Sequence, residues 1–142
     1  NFSLDLFFQG TGKSNFYFSQ QAAWPFFNGM TAFRDHFDYW TPDNRNAKNP
    51  RLTTSPTANN TQFSSFWMKD ISYLRLKNAT FSYVLPEGIS SKIKAHQVRV
   101  YASAQNLITW TKLLNYDPEL NAGSGWGYPE QKVISIGLNV VF

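Results

Sequence analysis

A chain of 142 residues holds one domain at most, and an aromatic content of 18% beside only 15% charged residues excludes a disordered polymer. No stretch approaches the roughly 18–20 uninterrupted apolar residues of a membrane helix; with a mean hydropathy of −0.39, what survives is a β-rich chain, as a soluble sandwich or a membrane barrel. The net charge of +4 is scattered, so no nucleic-acid stripe forms, and the lack of cysteine removes disulfides and thiolate metal sites.

Asn1 stands first and no signal-peptide pattern follows it, so the chain reads as the tail of something longer. Phe2, Leu4, Leu6 and Phe8 alternate with Ser3, Asp5 and Phe7, the period-2 signature of a strand with one apolar face. Gly10-Thr11-Gly12 ends or bends it, and extended structure resumes near Asn15 to Ser19, giving a first strand segment over 1–18. From about Gln20 to Ser65 the pattern vanishes among Pro25, Pro42, Pro50 and Pro56, many Asn and Thr, and a run of aromatics. A loop of 19–65 is far beyond ordinary connection lengths and is either functional or a sign of a wrong element assignment; short helical turns around Met30 to Phe37 fit the pattern.

The segment 66–86 is the longest extended candidate. Leu74 and Leu76 share one phase while Ala79, Phe81, Tyr83 and Leu85 share the opposite one, so an extra residue near Lys77-Asn78, a β-bulge, is expected. Pro86-Glu87-Gly88 turns the chain, and Ile89 to His96 reads as a short polar connection. Strand 97–111 sets Val98, Val100, Ala102 and Ala104 against Arg99, Tyr101, Ser103 and Gln105. A second loop, 112–131, holds Asp117-Pro118 and the run Gly123 to Gly127. In 132–142, Ile134, Ile136, Leu138, Val140 and Phe142 face one way.

Strands of about 10 to 20 residues exceed the usual 5–6 of globular proteins and suit a tilted membrane crossing of roughly 9–11. Long loops on one side and a short turn on the other are the layout of an outer-membrane barrel. About four strands cannot close one, since the smallest have about eight. The missing strands must come from polypeptide outside this sequence.

Ser72-Tyr73-Leu74-Arg75-Leu76-Lys77-Asn78, Phe81-Ser82-Tyr83 and Leu85-Pro86 are followed in order by Val98-Arg99-Val100-Tyr101, Gln105-Asn106-Leu107 and Tyr116-Asp117-Pro118-Glu119. With Trp40-Thr41-Pro42, Pro50-Arg51-Leu52 and Gly137-Leu138-Asn139-Val140, this sequence resembles the SusC/RagA family of TonB-dependent outer-membrane transporters, over roughly Trp40 to Phe142. The resemblance implies an all-β fold: the C-terminal antiparallel strands of a 22-stranded transmembrane barrel, with long extracellular loops and with the plug and N-terminal regions absent. It further implies import of oligosaccharides or peptides, a SusD-like surface lipoprotein as lid, TonB as energy source, and a Gram-negative outer membrane as location. No cofactor is implied. Ser135, Gly137, Val140 and Phe142 resemble the C-terminal insertion signal of such barrels; the competing reading is an ordinary amphipathic strand.

Other motifs resolve to blander readings. Gly10 to Ser14 ends like a phosphate loop, but Phe7 stands where the first glycine is required, and a hairpin turn is expected instead. Asn115, Asp117, Glu119 and Asn121 alternate as oxygen donors, yet Leu120 occupies the sixth position that a calcium loop gives to glycine. An Asp-Pro loop is expected there. His36 and His96 lack metal-site spacing and are expected at the surface, and no catalytic grouping stands out. The aromatics from Trp24 to Trp40 admit packing, an interface belt, or stacking on sugar. Candidate vestibule residues are Trp24, Tyr39, Trp40, Asp43, Arg45, Arg51 and Trp126. The alternatives from other classes are a soluble carbohydrate-binding β-sandwich, which requires the even-numbered residues of the last strand to point into a core, and a porin or adhesion barrel without energy coupling.

Overall fold

A computed structural model describes residues 1–55, 57–120 and 123–142. Among them the strands run, in chain order, β1 (Phe2–Thr11), β2 (Asn15–Tyr17), β3 (Met68–Asp70), β4 (Tyr73–Val84), β5 (Gln97–Thr111) and β6 (Val133–Val141). The chain forms two compact units, one of Asn1–Gly12, Tyr73–Thr111 and Glu130–Phe142, the other of Lys13–Ser72 and Lys112–Pro129.

The first unit is an antiparallel sheet in the order β1-β4-β5-β6. Its register aligns the apolar phases of all four strands. Phe2, Tyr83, Val100 and Leu138 form one cross-strand row, Leu4, Phe81, Ala102 and Ile136 the next, and Leu6, Ala79, Ala104 and Ile134 a third. The bulge falls at Lys77, where Phe7 pairs with Asn78 but Phe8 already pairs with Leu76. On the other side, Asn106 and Leu107 stand opposite Lys77, and Asn106 adopts φ +51°. Two residues facing one keep β5 in phase across the shift, so Phe8, Leu76 and Ile108, then Leu74 and Trp110, extend the apolar face. Asn106 also anchors the approach to β6, donating from Nδ2 to Glu130 Oε2 (3.2 Å) and the Gln131 carbonyl (3.0 Å). The opposite face carries Ser3, Asp5, Thr80, Ser82, Arg75, Tyr101, Ser103 and Ser135, with Phe7, Val84, Val133 and Val141 among its apolar residues.

Apart from the half-buried Val140, the even-numbered side chains of the last strand segment do not point into a core, as the sandwich alternative requires. Ile134 is 70% exposed, Ile136 81%, Leu138 63%, and Phe142 just beyond the strand 79%. The turn between β4 and β5, read as a polar connection, contains helical turns at Glu87–Ser90 and Ser91–Ile93.

The second unit corrects several expectations. Its stretch of missing periodicity is a folded body with a core of Phe18, Ala22, Ala23 and Trp67, against which Phe16, Tyr17, Trp24, Ile71, Leu113 and Tyr116 pack. The expected strand 66–86 is split: the Ser72 N–H donates to Asp70 Oδ1 (2.8 Å), an Asx turn that takes the chain out of extended conformation between β3 and β4. Gly10 to Ser14 is no hairpin turn either, because β2 pairs with β3 instead of folding back on β1; Lys13 adopts φ +54°. A short turn does form at Arg34–Phe37. Its His36 is buried at 7% exposure, not at the surface.

Candidate functional site

The folded loops derive their shape from polar side chains more than from secondary structure. Asn49 is the organiser. Its N–H donates to the Asp38 carbonyl (3.0 Å), its carbonyl accepts from Trp40 N–H (2.9 Å), and its Nδ2 reaches the carbonyls of Asp35 (2.7 Å) and Asp38 (3.1 Å). Within the loop so closed, Thr41-Pro42-Asp43-Asn44 is a β-turn with the Asn44 N–H on the Thr41 carbonyl (3.1 Å), proline sitting where its fixed φ suits. Asn44 Nδ2 holds Asp38 Oδ1, and Arg45 Nε donates to the Pro42 carbonyl (3.1 Å).

His36 pins a second crossing. Its Nδ1 accepts from the Phe33 N–H (3.2 Å). Burial pushes its proton affinity below the ordinary 6.5, against the opposing pulls of the Asp35 carboxylate and the Ala23 carbonyl. A neutral ring with one accepting and one donating nitrogen fits both neighbours. Around it, Phe18 and Phe33 each pack on Tyr116, with centroids 5.6 and 5.7 Å apart, and the Tyr116 hydroxyl donates to the Gln21 carbonyl (3.4 Å). Burial also raises the Tyr116 phenol above its usual value of 10.0.

Of the candidate vestibule residues, the structure brings Trp24 and Arg51 together, on the wall of a cavity of about 30 Å³ that His36, Asn49 and Trp67 also line, room for about one water. Trp24 packs edge-on to Phe27 (5.2 Å), and its Nε1 is buried without a hydrogen bond among the described residues. Tyr39, Trp40, Asp43 and Arg45 belong to the loop closed by Asn49, where Arg45 is committed to the turn and Trp40 is well exposed. Trp126 is also exposed. It follows Gly125, whose φ of +92° would strain any side chain and whose backbone lies close to Ala22.

Asp117 Oδ1 accepts from the Glu119 N–H (3.0 Å), as an Asp-Pro loop requires. Asn121, the fourth oxygen donor of that pattern, lies outside the described residues. His36 and Asn49 were missed as determinants of the site, since neither has a periodic or motif signal; only the flanking Phe33 and Phe37 hint that His36 is enclosed.

The insertion-signal residues lie on β6. Ser135 pairs with Ser103, Val140 with Val98, and Gly137 with Tyr101. The Tyr101 ring lies directly over Gly137, where any Cβ would overlap it.

No protein-family model matches the chain. It is 33% identical over 158 residues to TonB-dependent receptor P3 and 28% identical over 158 residues to TonB-dependent receptor P26, both of Formosa agariphila; both alignments cover 100% of this chain. The chain spans only 15% and 16% of those curated relatives. Among solved structures it superimposes on the RagAB peptide importer in its open-open state with a TM-score of 0.69 and 28% identity, over 99% of this chain and 16% of that one. The RagAB peptide transporter gives the same TM-score at 27% identity. A sheet with an exposed apolar face and these two kinds of likeness converge: over its whole length the chain is similar to TonB-dependent receptors and to the RagAB transporter.

Proposed function

We propose that this chain is the C-terminal part of an outer-membrane, TonB-dependent nutrient importer, its four-stranded sheet serving as barrel wall and its folded loops as extracellular vestibule. The observation that carries the reading is the uncovered apolar face. Three complete rows and their continuation past the bulge present Phe, Leu, Ile, Val and Ala, and most of these side chains are exposed among the described residues. Soluble monomers rarely expose so large a contiguous patch. From Phe2 to Gly10 the strand runs about 27 Å at about 3.4 Å per residue. Tilted as barrel strands are, that projects to about 20 Å, close to the roughly 25 Å apolar band of outer-membrane barrels. Phe2 and Tyr83 stack at one end of the face (4.4 Å), Phe8 and Trp110 toward the other (6.5 Å), as an aromatic girdle would.

The remaining strands and plug of the same receptor would complete the cylinder, because an open flank in lipid leaves backbone groups unsatisfied. A SusD-like lipoprotein would cover the loops, and TonB would act through the segment that precedes these residues. The cargo is a peptide or a glycan; the likeness to a peptide importer favours the former, and the exposed Trp40 and Trp126 suit either. Residues that would meet it are those of the vestibule, and no catalytic step is assigned to any of them.

The test compares two lysine substitutions one residue apart in the full-length receptor. Ile136→Lys places a charge on the apolar face and is expected to cost about 2–4 kcal/mol near the membrane midplane, lowering the yield of heat-modifiable barrel in the membrane. Ser135→Lys, on the polar face, is expected to leave the yield near wild type. Equal yields for the two would overturn the assignment of faces, and with it the wall.

A further inference from the structure

A second cavity in the loop unit, of about 280 Å³, combines an apolar floor with a cationic rim. Phe18, Trp67, Leu113 and Tyr116 form the floor. Lys48, Lys69 and Lys112 reach the rim from three separate stretches of chain: one just before Asn49, one in β3, and one directly after β5. Among the described residues none of the three is recorded in an ion pair, and Lys69 Nζ rests 5.8 Å from the Phe66 ring centroid.

The other titratable groups facing this space are Asp35, Asp70, His36 and Tyr116. Asp70 is already engaged by the Ser72 N–H, and hydrogen bonds from Ser72 hold its carboxyl below the usual carboxylate range. His36 spends its Nδ1 on Phe33. Tyr116 donates to Gln21. Three ammonium groups against two carboxylates leave the rim with a net positive charge, while the neutral groups are satisfied internally. The volume sits just below the 300–1,000 Å³ of sites that engulf a whole small molecule, so it suits one end of a ligand.

We propose that this cavity seats the carboxylate-bearing end of a cargo molecule, its apolar or ring body on Phe18, Trp67 and Tyr116 and its carboxylate among Lys48, Lys69 and Lys112. The carboxylate can come from a peptide C-terminus or from a uronate sugar, and the shared chemistry is an anion on a flat or apolar body. Charge-assisted hydrogen bonds to ammonium groups are the stronger kind, and salt weakens them at an exposed rim. The identity of the anion's source rests on the importer reading; the existence of the site does not.

The experiment titrates the full-length receptor in detergent with alanyl-alanyl-phenylalanine, with the same tripeptide amidated at its C-terminus, and with a trimer of glucuronic acid. One of the two acids is expected to bind about tenfold tighter than the amide, losing that advantage at high salt. In the double variant Lys69→Gln/Lys112→Gln the acid is expected to fall to the amide's affinity while the amide is unchanged. Preference for the peptide acid assigns a peptide end, and preference for the uronate a glycan end. Absence of any preference, or a preference that survives in the double variant, overturns the site. Nutrient uptake by cells separates the two claims. A receptor that imports without the preference keeps the importer and loses the site, whereas one with the preference but no import keeps the site and loses the importer.

Discussion

Gly137 shows how a single position can set the fit of a strand. The Tyr101 ring occupies the space that any Cβ at 137 would take, so the two residues interlock on the polar face. Gly137→Ala forces the phenol aside and is expected to destabilise the assembled receptor by about 1–3 kcal/mol, as overpacking does. Adding Tyr101→Ser is expected to recover most of that loss, read as the temperature at which the folded band disappears on a gel. His36 supplies a different residue-scale prediction. Its folded-state proton affinity is lowered by burial, so below the ordinary 6.5 the unfolded loop binds protons that the folded loop does not. Stability is therefore full above that pH and is lost as pH falls through the lower folded-state value. Protection of the amides of residues 33–37 against exchange, taken relative to the intrinsic rate at each pH, is expected to fall between pH 7 and pH 5, and His36→Gln to flatten that dependence. Neither position was equally visible in advance. Gly137 stood out within an alternating strand, whereas a buried histidine in a stretch without periodicity has no sequence mark.

At the scale of elements, strand faces were legible because burial and exposure alternate with the backbone, and the phase slip between Leu76 and Ala79 located the bulge. The bulge makes its own prediction. Deleting Lys77 would join the two halves of β4 in regular alternation, so Tyr73 and Arg75 keep their face, but Asn106 and Leu107 of β5 would be left with no residue opposite them. Lys77→Ala keeps the residue count. The deletion is expected to lower the amount of assembled receptor in membrane extracts and the substitution to leave it near normal. Less legible were the break at Ile71-Ser72 and the pairing of β2 with β3. Both depend on hydrogen bonds between distant residues, such as the Ile71 N–H on the Ser14 carbonyl (2.8 Å), and no local pattern encodes them. The same holds for the loop core, where Phe18 meets Trp67 and Tyr116 across long stretches of sequence.

For the whole molecule, the sequence resemblance pointed to the receptor family, and the two comparisons lead to the same family from sequence and from backbone geometry. The candidate site was legible only in part: Trp24 and Arg51 share a cavity, whereas the lysine rim draws on three scattered positions that no spacing rule connects. Assembly carries the last prediction. Removing Phe142 is expected to lower the amount of receptor inserted in the outer membrane severalfold, and Phe142→Tyr to preserve it, measured by surface proteolysis of whole cells. Normal insertion without Phe142 would leave Ser135, Gly137 and Val140 as parts of an ordinary amphipathic strand.

In the sheet, among the described residues, β1 and β6 each pair with one neighbouring strand, so each presents a flank of amide and carbonyl groups that no strand matches. That flank is a template with a stated phase. Whatever segment zips onto residues 133–141 has to set its oily side chains level with Ile134, Ile136 and Leu138, and a slip of one notch would turn every one of them toward water. The neighbouring strand can thus be sought in any candidate sequence by its rhythm, before its identity is known.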